Sequence, residues 1–349
     1  MKRLALLFGA AGAALFVFLL AKHGFVAVGK VALSAGWMLP VIVAAHLAPV
    51  LADTLSWQAL FPPDRRPKLR QLIWLRWIRE GVNHLLPTAR VGGDIVRARI
   101  VSWRYAPMPI AAATVIADLT SGIFTQAAFT LIGLAALLAL TGSGSGLLVP
   151  ILGGVAIAFG LFTGFFLVQR YGLFRLIQML VTKLARSRSW SLLVDRGEDL
   201  DDAIRAVYRR RGDLARSMAW TMASWVLGSW EVWLALRALG HPVTILEAVA
   251  IEAVGQAVRG ATFMVPGALG AQEGGLTVIG GILGVPPEQC LALSLVKRFR
   301  ELTLGVPALI VWQTVEGKRL LGKRRNAKEE PEDPNHASDS LHATKPPNQ

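Results

Sequence analysis

The sequence predicts an all-α polytopic membrane protein with about six full transmembrane helices and two re-entrant helical hairpins, eight membrane segments arranged as an inverted internal repeat. Three observations predict it: an apolar composition, two matching motifs in opposite halves of the chain, and ionisable residues set inside apolar sequence. Of 349 residues, 53% are apolar and 17% are Asp, Glu, Lys or Arg, and the mean hydropathy is +0.47. So few charges cannot coat the water-facing surface of a chain this long.

Composition also narrows the chemistry. A lone Cys290 forms no internal disulfide, and the six histidines are scattered without the i, i+4 pairing of a helical metal site. No metal or other cofactor is expected. The formal charge of +14 raises the question of nucleic acid, but the basic residues lie in loops beside apolar spans. The positive-inside rule and anionic headgroups account for them there, and nucleic-acid binding is set aside.

The elements follow in order. Met1-Lys2-Arg3 precedes an apolar run, Leu4 to Ala21, longer than a signal core and with Leu19 badly placed for cleavage; it reads as a retained first span. A second span covers about Gly36 to Phe61, and the loop with Arg65, Arg66, Lys68 and Arg70 after it is expected on the cytoplasmic side. Pro109 to Leu140 reads as one long span, Gly142 to Gly146 as an uncharged periplasmic turn, and Gly146 to Gln169 as the return. Residues 170–216 mix arginines with acids at spacings that suggest cytoplasmic surface helices. A fifth span runs from Leu214 to Leu239 and a last from Gln289 to Thr314. Both termini are then cytoplasmic. One transmembrane domain covers 1–320, and the polar tail 321–349 is expected to be disordered. Tryptophans near span ends (Trp37, Trp57, Trp220, Trp312) read as interfacial anchors.

Residues 69–108 and 243–288 do not read as ordinary spans, and they resemble each other. Pro87 is followed seven positions later by Asp94, and Pro266 seven positions later by Glu273. Glycines bracket both acids: Gly92 and Gly93 in one, Gly267, Gly270, Gly274 and Gly275 in the other. Asp118-Leu119-Thr120-Ser121-Gly122 then matches Glu301-Leu302-Thr303-Leu304-Gly305. The repeat units are about 69–140 and 243–314, and internal duplication is the common architecture of secondary transporters.

Length sets the local geometry. A helix over 271–284 is about 21 Å long, short of a hydrocarbon core of about 30 Å. The segment Gly92 to Arg104 is as short and carries Asp94, Arg97, Arg99 and Arg104. Each unit is therefore expected to enter the membrane, turn at its Pro/Gly-rich stretch and return, which backbone does only inside protein or beside a water-filled cavity. The basic flank of the first hairpin puts its entry on the cytoplasmic side, and the flanks of the second, His241-Pro242 and Pro286-Pro287-Glu288, with few basic residues, put its entry on the periplasmic side. The competing reading is eight plain crossings.

An ionised group at the centre of a lipid-facing helix costs roughly 2.5–3.5 kcal/mol even on lenient scales. Glu252, Arg259, Glu273, Lys297, Arg298, Arg300 and Glu301 lie in or near apolar sequence, so they are expected to pair with one another or to face a polar cavity. Arg298 or Arg300 as a static partner of Glu273 or Glu301 is the plain alternative. Asp118 looks lone, close to Thr120 and Ser121; Asn83 and His84 suit either a helix cap or a substrate contact; Asp53 and Glu231 have no evident partner. If the two glycine-rich tips meet near the midplane, their N–H groups and arginines suit an anionic or hydroxylated lipid headgroup. Asp94 and Glu273 are expected to share that pocket.

The run Asn83-His84-Leu85-Leu86-Pro87-Thr88-Ala89-Arg90-Val91-Gly92-Gly93-Asp94-Ile95-Val96-Arg97, with Val265-Pro266-Gly267-Ala268-Leu269-Gly270-Ala271-Gln272-Glu273, resembles the flippase-like transmembrane region of lysylphosphatidylglycerol synthases, and among them the members associated with hopanoid biosynthesis. The second block carries Ala268-Leu269 where another glycine is expected. The resemblance implies a multi-pass protein of the bacterial inner membrane that handles a lipid, a hopanoid or a phospholipid, with hopanoid-biosynthesis or export proteins as partners. The synthases carry a soluble aminoacyl-transfer domain after the membrane part, whereas a short tail follows Glu316 here, so synthase activity is not expected. The expected function is lipid transport or flipping without catalysis. A headgroup-modifying enzyme using Asp94 and Glu273 as acid and base, and a non-catalytic partner of hopanoid biosynthesis, are the alternatives.

Overall fold

The computed structural model describes residues 26, 30, 33–86, 91–142, 191–262, 265 and 268–329, all helical or turn where described. The expected spans Leu4 to Ala21 and Gly146 to Gln169, and residues 330–349, lie outside the described residues. The chain divides into two compact units, Met1–Ala308 and Leu309–Gln349.

The second span is broken. Helices α1 (Met38–Ala45) and α2 (Leu47–Ala59) meet at His46, because Pro49 has no N–H to return to the Ala45 carbonyl. A short 3₁₀ turn over Pro63–Arg65 leads to α3 (Leu69–Leu85), then α4 (Gly92–Arg104) and the long α5 (Met108–Thr141). After residues 143–190, α6 (Ser191–Arg209) and α7 (Arg211–Ala238) are followed by α8 (Ile245–Ala261), α9 (Ala271–Ile282) and α10 (Pro287–Glu329). Helix α10 thus continues into the stretch expected as tail. The 22 residues Met38–Ala59 and the 34 residues Met108–Thr141 are long and apolar enough to cross a bilayer.

Each of the two regions read as a hairpin holds a pair of packed helices. Helices α3 and α8 have 17 residues each, about 25 Å at the α-helical rise; α4 has 13 and α9 has 12. Each pair opens in the same way. The Lys68 N–H is taken by Gln71 Oε1 at 2.8 Å and the Thr244 N–H by Glu247 Oε2 at 2.6 Å, the returning half of a capping box three residues in. Within each pair the helices pack closely where a glycine permits. A Cβ on Gly93 would stand 2.3 Å from the Arg79 carbonyl oxygen, and one on Gly275 3.0 Å from Val258. At the second turn Ala268 has φ 49° and Gly270 φ 75°. Ala268 therefore holds, at a cost, the left-handed conformation in which glycine is unstrained.

The hairpins pack against the long helices. Gly133 of α5 receives Ala253 of α8, where an added Cβ would come within 2.2 Å of the Ala253 Cβ. Gly81 of α3 meets Gly305 and Ala308 of α10, with an added Cβ 2.9 Å from the Gly305 carbonyl oxygen. One apolar cluster joins Ala35, Leu137, Leu239, Val243, Val285 and Leu293. Elsewhere Arg210 donates to the Leu60 and Phe61 carbonyls at 2.7 and 3.0 Å, closing the end of α2. Hydroxyls fill the seam between α2, α5 and α7: Ser56 bonds Ser217 and Thr221, both at 2.8 Å, and Trp225 donates to Thr125 at 3.2 Å.

Large apolar side chains are exposed and charged ones buried on the same helices. Ile95 and Val278 are 63% and 66% exposed on α4 and α9, whereas Asp94 and Glu273 on the same helices are 2% and 0% exposed. Trp57, expected as an interfacial anchor, is fully buried: its ring lies 4.5 Å beneath the Arg97 guanidinium and its Nε1–H donates to Thr114. Burial under a cation, not the bilayer interface, sets its position.

Gly133→Ala should lower the thermal stability of the detergent-purified protein by about 1–3 kcal/mol, the cost of overpacking. Gly122→Ala on the same helix meets nothing within 4 Å and should be neutral or stabilising by up to about 1 kcal/mol. Equal losses in both variants would refute the Gly133–Ala253 notch.

Candidate functional site

Two buried ionic networks occupy the interior of the first unit, one on each hairpin. In the first, Arg76 of α3 spans α2 and α5, with Nη2 2.6 Å from Asp53 and Nη1 2.8 Å from Asp118. Arg97 of α4 places Nη2 2.7 Å from both Asp94 and Asp118. Asp94 also takes Arg79 Nε at 3.0 Å and Asn83 Nδ2 at 3.2 Å, while Asn83 Oδ1 accepts the Gly93 N–H at 2.8 Å. Asn83 thus ties the two arms of the hairpin together beside its turn. Asp118 is not lone, as the sequence suggested: two guanidiniums from the preceding helices converge on it.

The second network is centred on α10. Lys297 Nζ lies 2.5 Å from Glu252 of α8, which Gln256 also contacts at 2.8 Å; Gly228 of α7 leaves room for that carboxylate. Arg259 pairs with Glu301 and Arg300 with Glu231 of α7. Arg298 bridges Glu273 at 3.2 Å and Glu301 at 3.4 Å, and Ser294 donates to Glu273 at 2.6 Å. Glu273 Oε2 is buried without a hydrogen-bond partner, so this end of the network is incompletely satisfied.

A cleft lies between α3 and α10, bordered by Arg300 and Glu301 of the second network. Its polar lining is His46, Trp77, Glu80, His84, Arg300 and Glu301, and Gly81 and Gly305 form its floor. There is room for on the order of one water molecule. His46, released from regular helix at the α1–α2 break, sets Nδ1 2.8 Å from Glu231 and Nε2 3.5 Å from Glu80. Trp77 Nε1 donates to the Leu304 carbonyl at 2.7 Å across the same crossing.

Among the site residues expected from sequence, Asn83, Gly93, Asp94, Arg97 and Asp118 come together in the first network. Arg259, Glu273, Arg298, Arg300 and Glu301 come together in the second. Gly92 begins α4 and Gly270 caps α9. Pro87, Arg90 and Pro266 lie outside the described residues. Asp94 and Glu273 do not line the cleft; each is held by its own arginines, and the cleft belongs to Arg300 and Glu301. Asp53 and Glu231 acquire the partners the sequence could not name. Arg76, Arg79, Glu80 and His46 were missed. The first three recur with Asn83 at i+3 and i+4 along α3, a polar stripe on one helix face, and that spacing is a readable signal. Nothing around His46 in the sequence points at the site except Pro49.

A buried ion pair is weakly stabilising as a whole, but removing one partner strands a charge. Lys297 is the cation that pairs with Glu252 among the described residues. Lys297→Met should therefore cost about 3–5 kcal/mol of stability, and adding Glu252→Gln should restore most of it. Thermal unfolding of the single and double variants in detergent measures the coupling; strictly additive losses would contradict the pairing.

Among the described residues no three His, Cys, Asp or Glu side chains converge as metal ligands. Neither a curated protein nor a solved structure matches the chain significantly. The family model described as the lysylphosphatidylglycerol synthase TM region matches residues 3–308. With nearly the whole helical assembly and both ionic networks inside that match, the chain belongs to the lysylphosphatidylglycerol synthase transmembrane-region family and is a membrane protein of lipid-related context.

Proposed function

We propose that the protein moves a lipid across the bacterial inner membrane, a hopanoid or a phospholipid, with both termini in the cytoplasm and without covalent chemistry on its substrate. The observation that carries this reading is the cleft between α3 and α10, lined by charged groups in a molecule whose outer surface is apolar. Membrane-depth ionisable groups mark pathways by default. A lipid can leave its tails against the exposed apolar surface while its headgroup exchanges with a carboxylate for an arginine. Glu301, which contacts Arg259, Arg298 and Arg300, is the group most readily substituted by an incoming phosphate or other anion.

The equal 17-residue lengths of α3 and α8, the shared N-terminal capping geometry and the glycine-notched packing of both hairpins support an inverted repeat. Such repeats provide alternating access through rocking of one unit against the other. The narrowness of the cleft fits a closed state that opens along the Gly81–Gly305 crossing.

The test is reconstitution in vesicles of phosphatidylethanolamine and phosphatidylglycerol carrying tail-labelled phosphatidylglycerol, with a labelled hopanoid in parallel, read by dithionite quenching. Wild-type protein should move label faster than protein-free vesicles, and Arg300→Gln should slow it by about tenfold or more. Movement no faster than in empty vesicles for both probes would refute the proposal.

A further inference from the structure

We propose that His46 and Glu80 form a proton-binding site whose loading drives or gates lipid movement. This rests on the transport reading above and makes that movement responsive to protons. The geometry around the imidazole demands a proton. Glu231 is engaged on both oxygens, Oε1 by Arg300 and Oε2 by His46 Nδ1, so Nδ1 must carry its hydrogen to bond an ionised carboxylate. The other nitrogen, Nε2, then faces Glu80 Oε2 at 3.5 Å. Without a further proton, the Nε2 lone pair would point at a carboxylate lone pair. A proton held in this gap, on Nε2 with Glu80 ionised or on Glu80 with the imidazole neutral, relieves that repulsion.

Arg76 and His84, also on α3, act on Glu80 through space, but neither forms the close contact that His46 makes. Among the described residues His46 is the group that pairs with Glu80; no Lys or Arg lies within ion-pair distance of it, whereas Asp53, Asp94, Asp118, Glu231, Glu252 and Glu301 each have one. The charged groups facing the imidazole are Glu80 and His84 from α3, Glu231 from α7, and Arg300 and Glu301 from α10. On its own α1–α2 segment the nearest acid, Asp53, is occupied by Arg76. The dyad therefore offers an exchangeable proton beside arginines whose charge is fixed.

Position makes this proton mechanical. His46 sits at the break between α1 and α2, and Glu80 lies one residue from Gly81, where α3 crosses α10. Loss of the proton sets Nε2 and Glu80 in repulsion and removes the tie between the broken helix and α3. The cleft opens along the glycine crossing, and rebinding closes it. The proton arrives from water on one side and returns to water on the other or the same side; no other reactant is consumed.

Two measurements test it on the full-length protein. In the vesicles described above, with a pH-sensitive dye inside, an imposed pH gradient should change the wild-type rate by about tenfold, and that response should be lost in His46→Gln and Glu80→Gln. If lipid moves but wild type ignores the gradient, the proton site is wrong and the transport reading stands. Difference infrared titration of detergent-purified protein between about pH 5 and 8 reads the dyad without transport. Wild type should show a titrating imidazole or carboxyl band that is missing from both variants; identical spectra in all three would overturn the proposal even if no lipid moves.

Discussion

An uncompensated charge is very expensive in a medium without water, and that single constraint organises this molecule. Each Asp or Glu named in the two networks meets a cation, and the pairs connect different helices. Arg76 joins α3 to α2 and α5 through Asp53 and Asp118. Lys297 joins α10 to α8, and Arg300 joins α10 to α7. In a bilayer, apolar contact between helices gains little over contact with lipid tails. Ionic ties and close glycine contacts then decide which helices adjoin. The outer surface is left apolar by default.

The same ties are exchangeable. Glu301 touches three guanidiniums, and Arg298 is divided between Glu273 and Glu301. A network in which partners are shared has several arrangements of similar energy, whereas a set of isolated pairs has one. Net stabilisation from buried ion pairs is small because desolvation offsets attraction. Regular helix is interrupted at His46, near Pro49, whereas α10 carries Pro307 within an unbroken helix.

Much of the architecture was legible before any coordinates. Hydropathy marked Met108–Thr141 and the 38–59 region, and the arithmetic of short segments located α4 and α9 to within two residues. The Pro-to-acid spacing and the Asp118 and Glu301 motifs pointed to residues that do enter the networks. Partners were not legible, because an ion pair such as Glu231 with Arg300 joins residues 69 positions apart, and no local pattern records that distance. Trp57 illustrates the same limit: its place in the sequence matches an anchor, and only packing put it under Arg97.

The sequence by itself determined that this chain belongs in a membrane, that two pairs of helices carry acids and glycines, and that ionisable residues lie within apolar stretches. Those properties depend on composition, length and spacing, which are local. Tertiary structure decided that Asp94 and Glu273 belong to separate networks and that the cleft is lined instead by His46, Glu80, His84, Arg300 and Glu301. It did so because charge neutralisation in a low-dielectric interior is settled between helices, where a one-turn difference in packing changes which cation an acid meets.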